Sequence, residues 1–155
     1  MINRISRILN NKIKTNPLSI DSGIVFILDK KYDIETTTSL DLHNNQLTSI
    51  PDLSKLVNLE YLYLYNNQLT SIPDLSKLVN LQRLDLSNNE LTSIPDLSKL
   101  VNLRELYLNN NKLTELPDLS KLVNLETLLL YNNKLTENEI NKIIKMLPNC
   151  NVYGW

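Results

Sequence analysis

Glycine is nearly missing from this chain: two residues in 155. With so few, no glycine-rich loop is available to cradle a phosphate. Histidine and cysteine occur once each, as His43 and Cys150. No His/Cys cluster therefore has the spacing of a zinc site. A single cysteine makes no intramolecular disulfide, so the disulfide framework common in small secreted domains is excluded. Asparagine is abundant, yet no Asn-x-Ser/Thr glycosylation acceptor occurs. Neither sign of charge dominates: 16 Lys+Arg stand against 17 Asp+Glu, a net charge of −1. No basic excess exists to neutralise a phosphate backbone, and there are no lysine runs for an anionic membrane surface. The apolar run Ile24 to Leu28 is far too short to span a bilayer. Met1 to Lys14 alternates polar and apolar residues and lacks the apolar core of a signal peptide. These absences predict a cytoplasmic protein with no cofactor, no metal, no nucleic-acid partner and no membrane partner.

What the chain does have is repetition. Leu59-Glu-Tyr-Leu62-Tyr-Leu64-Tyr-Asn-Asn67-Gln-Leu69 returns from Leu81, Leu103 and Leu125, each time 22 residues on. One step back, Leu40, Leu42, Asn45 and Leu47 fall on the same template from Thr37. Leu62 and Leu64 sit two apart, the strand period, so both point to one face. A strand that recurs once per repeat must lie parallel to its neighbours. Leu69, Ile72, Leu75 and Leu78 bring the chain back on the opposite side. Pro73 forbids a regular strand or helix interior there, which predicts turns or 3₁₀ pieces. One repeat cannot cover its own leucines, whereas stacking buries them, by roughly 1.5–3 kcal/mol each.

The unit LxxLxLxxNxLTxIPDLSKLVN resembles the leucine-rich repeat family, most closely its 22-residue class, from Thr37 to about Thr136. The richness in Lys, Asn and Ile and the near-identical copies also resemble leucine-rich repeat proteins of giant viruses, which would place the protein in a host cytoplasm. The resemblance implies an α/β solenoid. Its curved parallel sheet lies on the concave face, short 3₁₀ or turn segments lie on the convex face, and both ends are capped. It further implies that Asn45, Asn67, Asn89, Asn111 and Asn133 form a structural ladder inside the turns, bonded to backbone.

A solenoid exposes apolar side chains at its ends unless they are covered. Thr136-Glu-Asn-Glu139 reads as a capping box. Ile140, Ile143, Ile144 and Leu147 follow at helical spacing until Pro148 stops the helix. The tail Asn149 to Trp155 offers a short closing strand, with Trp155 as a plug and Cys150 as a buried apolar residue. Residues 137–155 thus form a C-terminal cap, and five repeats starting at 37, 59, 81, 103 and 125 fill 37–136. Residues 1–36 form an N-terminal cap. Ile2, Ile5, Leu9 and Ile13 suit an amphipathic helix ending before Pro17. For residues 15–36 two readings stand: a degenerate repeat, or a hairpin or helix through Ile24 to Leu28 unrelated to the repeat.

Function is sought where the copies differ. The stretch after the ladder asparagine is almost constant, LTSIPDLSKLVN in three copies and LTELPDLSKLVN in a fourth. The strand positions between the leucines change. One column reads Ser39, Tyr61, Arg83, Glu105, Thr127; the next Asp41, Tyr63, Asp85, Tyr107, Leu129; the third His43, Tyr65, Ser87, Asn109, Tyr131. By strand alternation these side chains leave the core and point to the concave face. Drift at exposed sites would also have touched the convex Asp, Ser, Lys and Asn. Part of their constancy has a structural source, because Asp52 and its copies suit a turn cap. Tyr61, Tyr63, Tyr65, Tyr107 and Tyr131, five of the seven tyrosines, fall on this face. Tyrosine and arginine are enriched in interface hot spots, though tyrosine is also a good strand former.

The face predicts a non-enzymatic protein- or peptide-binding module. Its partner-binding residues are Tyr61, Tyr63, Tyr65, Arg83, Asp85, Glu105, Tyr107 and Tyr131. Five strands by seven residues give on the order of 500 Å², below the ~800 Å² per partner of a standard interface, so a peptide or narrow element fits best. The alternative is a structural or self-associating protein, such as a particle component, without a dedicated ligand. A monomer is expected under the first reading. His43 and Cys150 lie too many strands apart to make a nucleophile–base pair, so no catalytic residue is expected.

Overall fold

The computed structural model describes residues 23–28 and 30–155. An antiparallel hairpin comes first: β1 (Ile24–Ile27) pairs with β2 (Lys30–Asp33), Ile24 opposite Asp33 and Ile27 opposite Lys30. From Gly23 onward the hairpin therefore stands where a degenerate repeat was the other reading. The alternation of Val25, Ile27 and Tyr32 against Phe26 and Lys31 selects it. Val25, Leu28, Tyr32 and Ile34 pack against the core, while Phe26 is exposed. The amphipathic helix expected near Ile2 to Ile13 lies outside the described residues.

Then come β3 (Ser39–Asp41), β4 (Tyr61–Tyr63), β5 (Arg83–Asp85), β6 (Glu105–Tyr107) and β7 (Thr127–Leu129), followed by α1 (Glu137–Met146) and β8 (Asn151–Tyr153). Strands β3 to β8 form one six-stranded parallel sheet in sequence order. Its register is the sequence period: Leu40, Leu62, Leu84, Leu106 and Leu128 stand in one row, and Val152 of β8 ends it. These leucines and those two residues on, Leu42 to Leu130, are 0–1% exposed.

The return leg is built of turns and holds no 3₁₀ helix. Leu56 N–H donates to Leu53 O at 2.9 Å and Leu59 N–H to Leu56 O at 3.0 Å, and the same pair of bonds recurs in the next three copies. Proline just ahead of the turns removes a donor that this leg does not need. In the Asp-Leu-Ser segment, Asp52, Asp74, Asp96 and Asp118 each accept the backbone N–H of the serine two residues on at 2.8 Å.

The Asn-Asn pair of each repeat divides its work. Asn44, Asn66, Asn88, Asn110 and Asn132 all have φ of 53–56°. Asparagine tolerates this left-handed turn better than other side chains with a Cβ. The second asparagine then enters the coil. Asn89 accepts Leu69 N–H at 3.0 Å and donates to Leu64 O at 3.0 Å and Leu86 O at 3.1 Å. Asn67, Asn111 and Asn133 repeat the pattern one step apart. At the first turn, among the described residues, the Asn45 side-chain amide donates to His43 O.

Helix α1 opens on the capping box: Thr136 Oγ1 accepts Glu139 N–H, and the Glu139 carboxylate accepts Thr136 N–H at 2.7 Å. The Thr136 N–H and hydroxyl, both donating to it, hold the Glu139 carboxyl below its ordinary range. The helix buries Ile140 and Ile143, whereas Ile144 is exposed. Trp155 is no plug. It is 74% exposed, because β8 already fills the place beside β7 and the tail runs past it. Cys150 packs half-buried against the core, and burial pushes its thiol up to about 11. No helix among the described residues is long and apolar enough to cross a membrane.

Candidate partner-binding face

The variable residues stand on the sheet face opposite the leucines. In β4, β6 and β7 the middle residue is buried and its two neighbours are half-buried. Register places Tyr63 and Tyr107 on either side of Asp85, and Tyr61 and Glu105 on either side of Arg83.

Arg83 ties the centre together. Its side chain leans along β5 so that the guanidinium carbon lies 4.6 Å from the Tyr107 ring centre and 5.4 Å from that of Tyr63. Nη1 meets Glu105 Oε2 at 2.8 Å, and Nη2 approaches Asp85 Oδ2 at 3.8 Å. Glu105 also accepts the Tyr107 hydroxyl at 2.8 Å. Burial, and then this bond, raise the Tyr107 phenol above its ordinary value. Asp85 is 7% exposed and accepts both the backbone N–H and the hydroxyl of Ser87. Arg83 Nε is out of solvent and has no partner among the described residues, against which the ion pair and two ring contacts are set.

The other predicted residues lie apart from this cluster. Tyr65 stacks on His43, ring centres 4.6 Å apart and planes within 7°. His43 Nδ1 is paired with Asp41. Burial raises the Asp41 carboxyl, but the side-chain and backbone bonds from His43 outweigh it and leave it lowered. Tyr131 accepts the Asn109 amide at 3.1 Å. Tyr61 is half-buried between Ser39 and Arg83.

Two features escaped the sequence reading. Asn58, Asn80, Asn102 and Asn124 form a second ladder, donating at 2.8–3.0 Å to the backbone carbonyls of Glu35, Val57, Val79 and Val101. Together with the Asp–Ser turns this gives the constant return leg a structural cause, so its constancy no longer argues for selection on the strand face. The second feature is a groove of about 720 Å³ along the leading ends of the strands, lined by residues that include Glu35, Thr38, Glu60, Gln82 and Arg104. Its signal was present: the column Thr38, Glu60, Gln82, Arg104, Glu126 also changes in most copies. That column immediately precedes the strands and lies at the groove. Gln82 Nε2 donates to Glu60 at 3.0 Å, and Arg104 pairs with Glu126.

The family model described as leucine-rich repeats in two copies matches residues 38–77, 79–121 and 101–142. A leucine-rich repeat protein of Leptospira interrogans is 38% identical over 74% of this chain, with a TM-score of 0.72. The functional domain of InlJ from Listeria monocytogenes, which includes a cysteine ladder, is 36% identical over 67% (TM-score 0.62). YopM from Yersinia enterocolitica is 36% identical over 65% (TM-score 0.59). The chain spans 30%, 22% and 21% of those three proteins. No curated protein matches it. With the family model covering most of the chain, and with the repeat register visible in the sheet, the protein belongs to the leucine-rich repeat family.

Proposed function

We propose that the protein is a non-enzymatic module that binds a protein or peptide on the concave face of its sheet, with β1–β2 at one end and α1–β8 at the other sealing the stack. Leucine-rich repeat proteins are generally used for protein–protein interaction and are generally not enzymes. The observation that carries the reading is the braced centre Tyr63–Arg83–Tyr107. Large side chains already held by rings and carboxylates lose little rotamer freedom on binding, so more of the contact energy appears as affinity. The face is small, which suits a peptide or narrow element. The repeat length supports the 22-residue class, and the Lys, Asn and Ile richness and near-identical copies support the likeness to giant-virus proteins.

The test is a pull-down from the native cell extract with Y63A/Y107A. Loss of partners is expected with the circular dichroism of the folded sheet retained and a melting temperature lowered by the lost ring contacts to Arg83; a variant that keeps every partner ends the strand-face reading. Concentration-dependent mass in light scattering would instead mark a self-associating protein, for which the outer edge of β8 and the exposed Tyr153 and Trp155 are the surface to mutate.

A further inference from the structure

We propose that the groove along the leading ends of β3 to β6, with Tyr61 beside it, takes an extended arginine- or lysine-bearing segment of the partner protein. This rests on the strand-face reading above and names the partner's chemistry. The groove holds about 720 Å³, within the roughly 300–1,000 Å³ of ligand sites. The row Thr38, Glu60, Gln82 and Arg104 crosses three inter-strand steps, about 14 Å, which is the reach of about four extended residues.

Charge decides which segment fits. Groove and face together carry five carboxylates, Glu35, Asp41, Glu60, Asp85 and Glu105, against the two guanidiniums of Arg83 and Arg104, and Glu126 stands one step along the row from Arg104. Both guanidiniums are already engaged, Arg83 by Glu105 and Asp85 and Arg104 by Glu126. Asp41 has His43, and Lys30 of β2 is near enough to help lower its carboxyl. Among the described residues no cation stands within 4.0 Å of Glu35 or Glu60, and the one hydrogen bond to the Glu60 carboxylate comes from the Gln82 amide. A neutral or acidic segment laid in the groove would desolvate both carboxylates without compensation. The same face shows how a guanidinium sits on it: Arg83 lies against two tyrosine rings with a carboxylate at 2.8 Å. Tyr61 follows the groove residue Glu60 in sequence, so a ring stands on the strand face one residue from that carboxylate.

The test titrates the full chain against short labelled peptides of alternating alanine and arginine, with alanine–glutamine and alanine–glutamate peptides beside them, read by fluorescence anisotropy. The arginine peptide is expected to bind best and to weaken as salt rises. The double variant E35Q/E60Q, checked for an unchanged melt, should lose at least about tenfold in affinity, while E115Q on the return leg changes nothing. Equal binding of the arginine and glutamine peptides, or indifference to E35Q/E60Q, overturns the proposal. In the pull-down, partner loss with Y63A/Y107A but not with E35Q/E60Q keeps the strand-face reading and overturns this one. Retention with both variants overturns both.

Discussion

At the scale of the residue, position within the array sets the energetic weight of one side chain type. The asparagines of the ladder are chemically identical but not equivalent. In Asn89→Ala the carbonyls of Leu64 and Leu86 keep a second amide, from Asn67 and Asn111, so the orphaned group is Leu69 N–H. The expected loss is about 1–3 kcal/mol. Asn45→Ala should cost clearly less, since among the described residues Asn45 supports one exposed carbonyl. Urea melts of the two variants check the ranking; equal losses would refute the account. The preceding asparagine answers to backbone geometry instead. Asn88→Gly should be near neutral and Asn88→Val should lose roughly 1–2 kcal/mol, because only the second must force a β-branched residue into positive φ. The ladder positions were legible from the repeat. The left-handed role of the first asparagine was not, since both are constant across the copies and only φ separates them.

At the scale of the element, the C-terminal piece shows close fitting. An added Cβ on Gly154 would stand 2.5 Å from Ile140 Cγ2. Gly154→Ala should therefore push the tail from α1 and destabilise by about 1–3 kcal/mol. Ile140→Ala, costly alone, should cost less in that background, and a double-mutant cycle measures the coupling. Simple additivity would show that the tail does not bear on the helix. Thr136→Ala should remove about 1 kcal/mol through loss of the capping box. The helix and the closing strand were readable, because a capping box, a 3.6-residue apolar period and a proline stop are local signals. The exposure of Trp155 was not local: it depends on where β8 docks. The hairpin β1–β2 was one of two open readings, since Ile24 to Leu28 is apolar enough for either.

At the scale of the whole molecule, stability is a chain of neighbour contacts. Removing residues 81–102, one full period, leaves β4 and β6 with matching rows. That variant should fold with a lower urea dependence, whereas removing half a period should not fold. Acid provides a second test. The carboxyls of Asp41, Asp74, Asp118 and Glu139 are lowered in the folded state: burial at Asp41 is outweighed by His43, and backbone hydrogen bonds act first at the other three. A lowered folded value means the contribution is present above the unfolded value, about 4, and is lost as pH falls through the folded values. The melting temperature should fall from about pH 4 downward and stay level between there and neutrality.

The sequence by itself determined the sheet. When every strand meets a copy of itself one period away, the period is the register, and the leucine rows, the ladder and the parallel order follow from counting. The tertiary structure alone decided what the non-repeating side chains do. Arg83 reaches two tyrosines across diagonals of neighbouring strands, Glu60 and Arg104 turn outward just before the strands begin, and the second asparagine ladder hides among residues that look like surface filler. The Arg83 contacts do not recur with the period, and the second ladder, which does recur, joins residues 23 apart in the chain. They exist only once stacking has set the strands side by side.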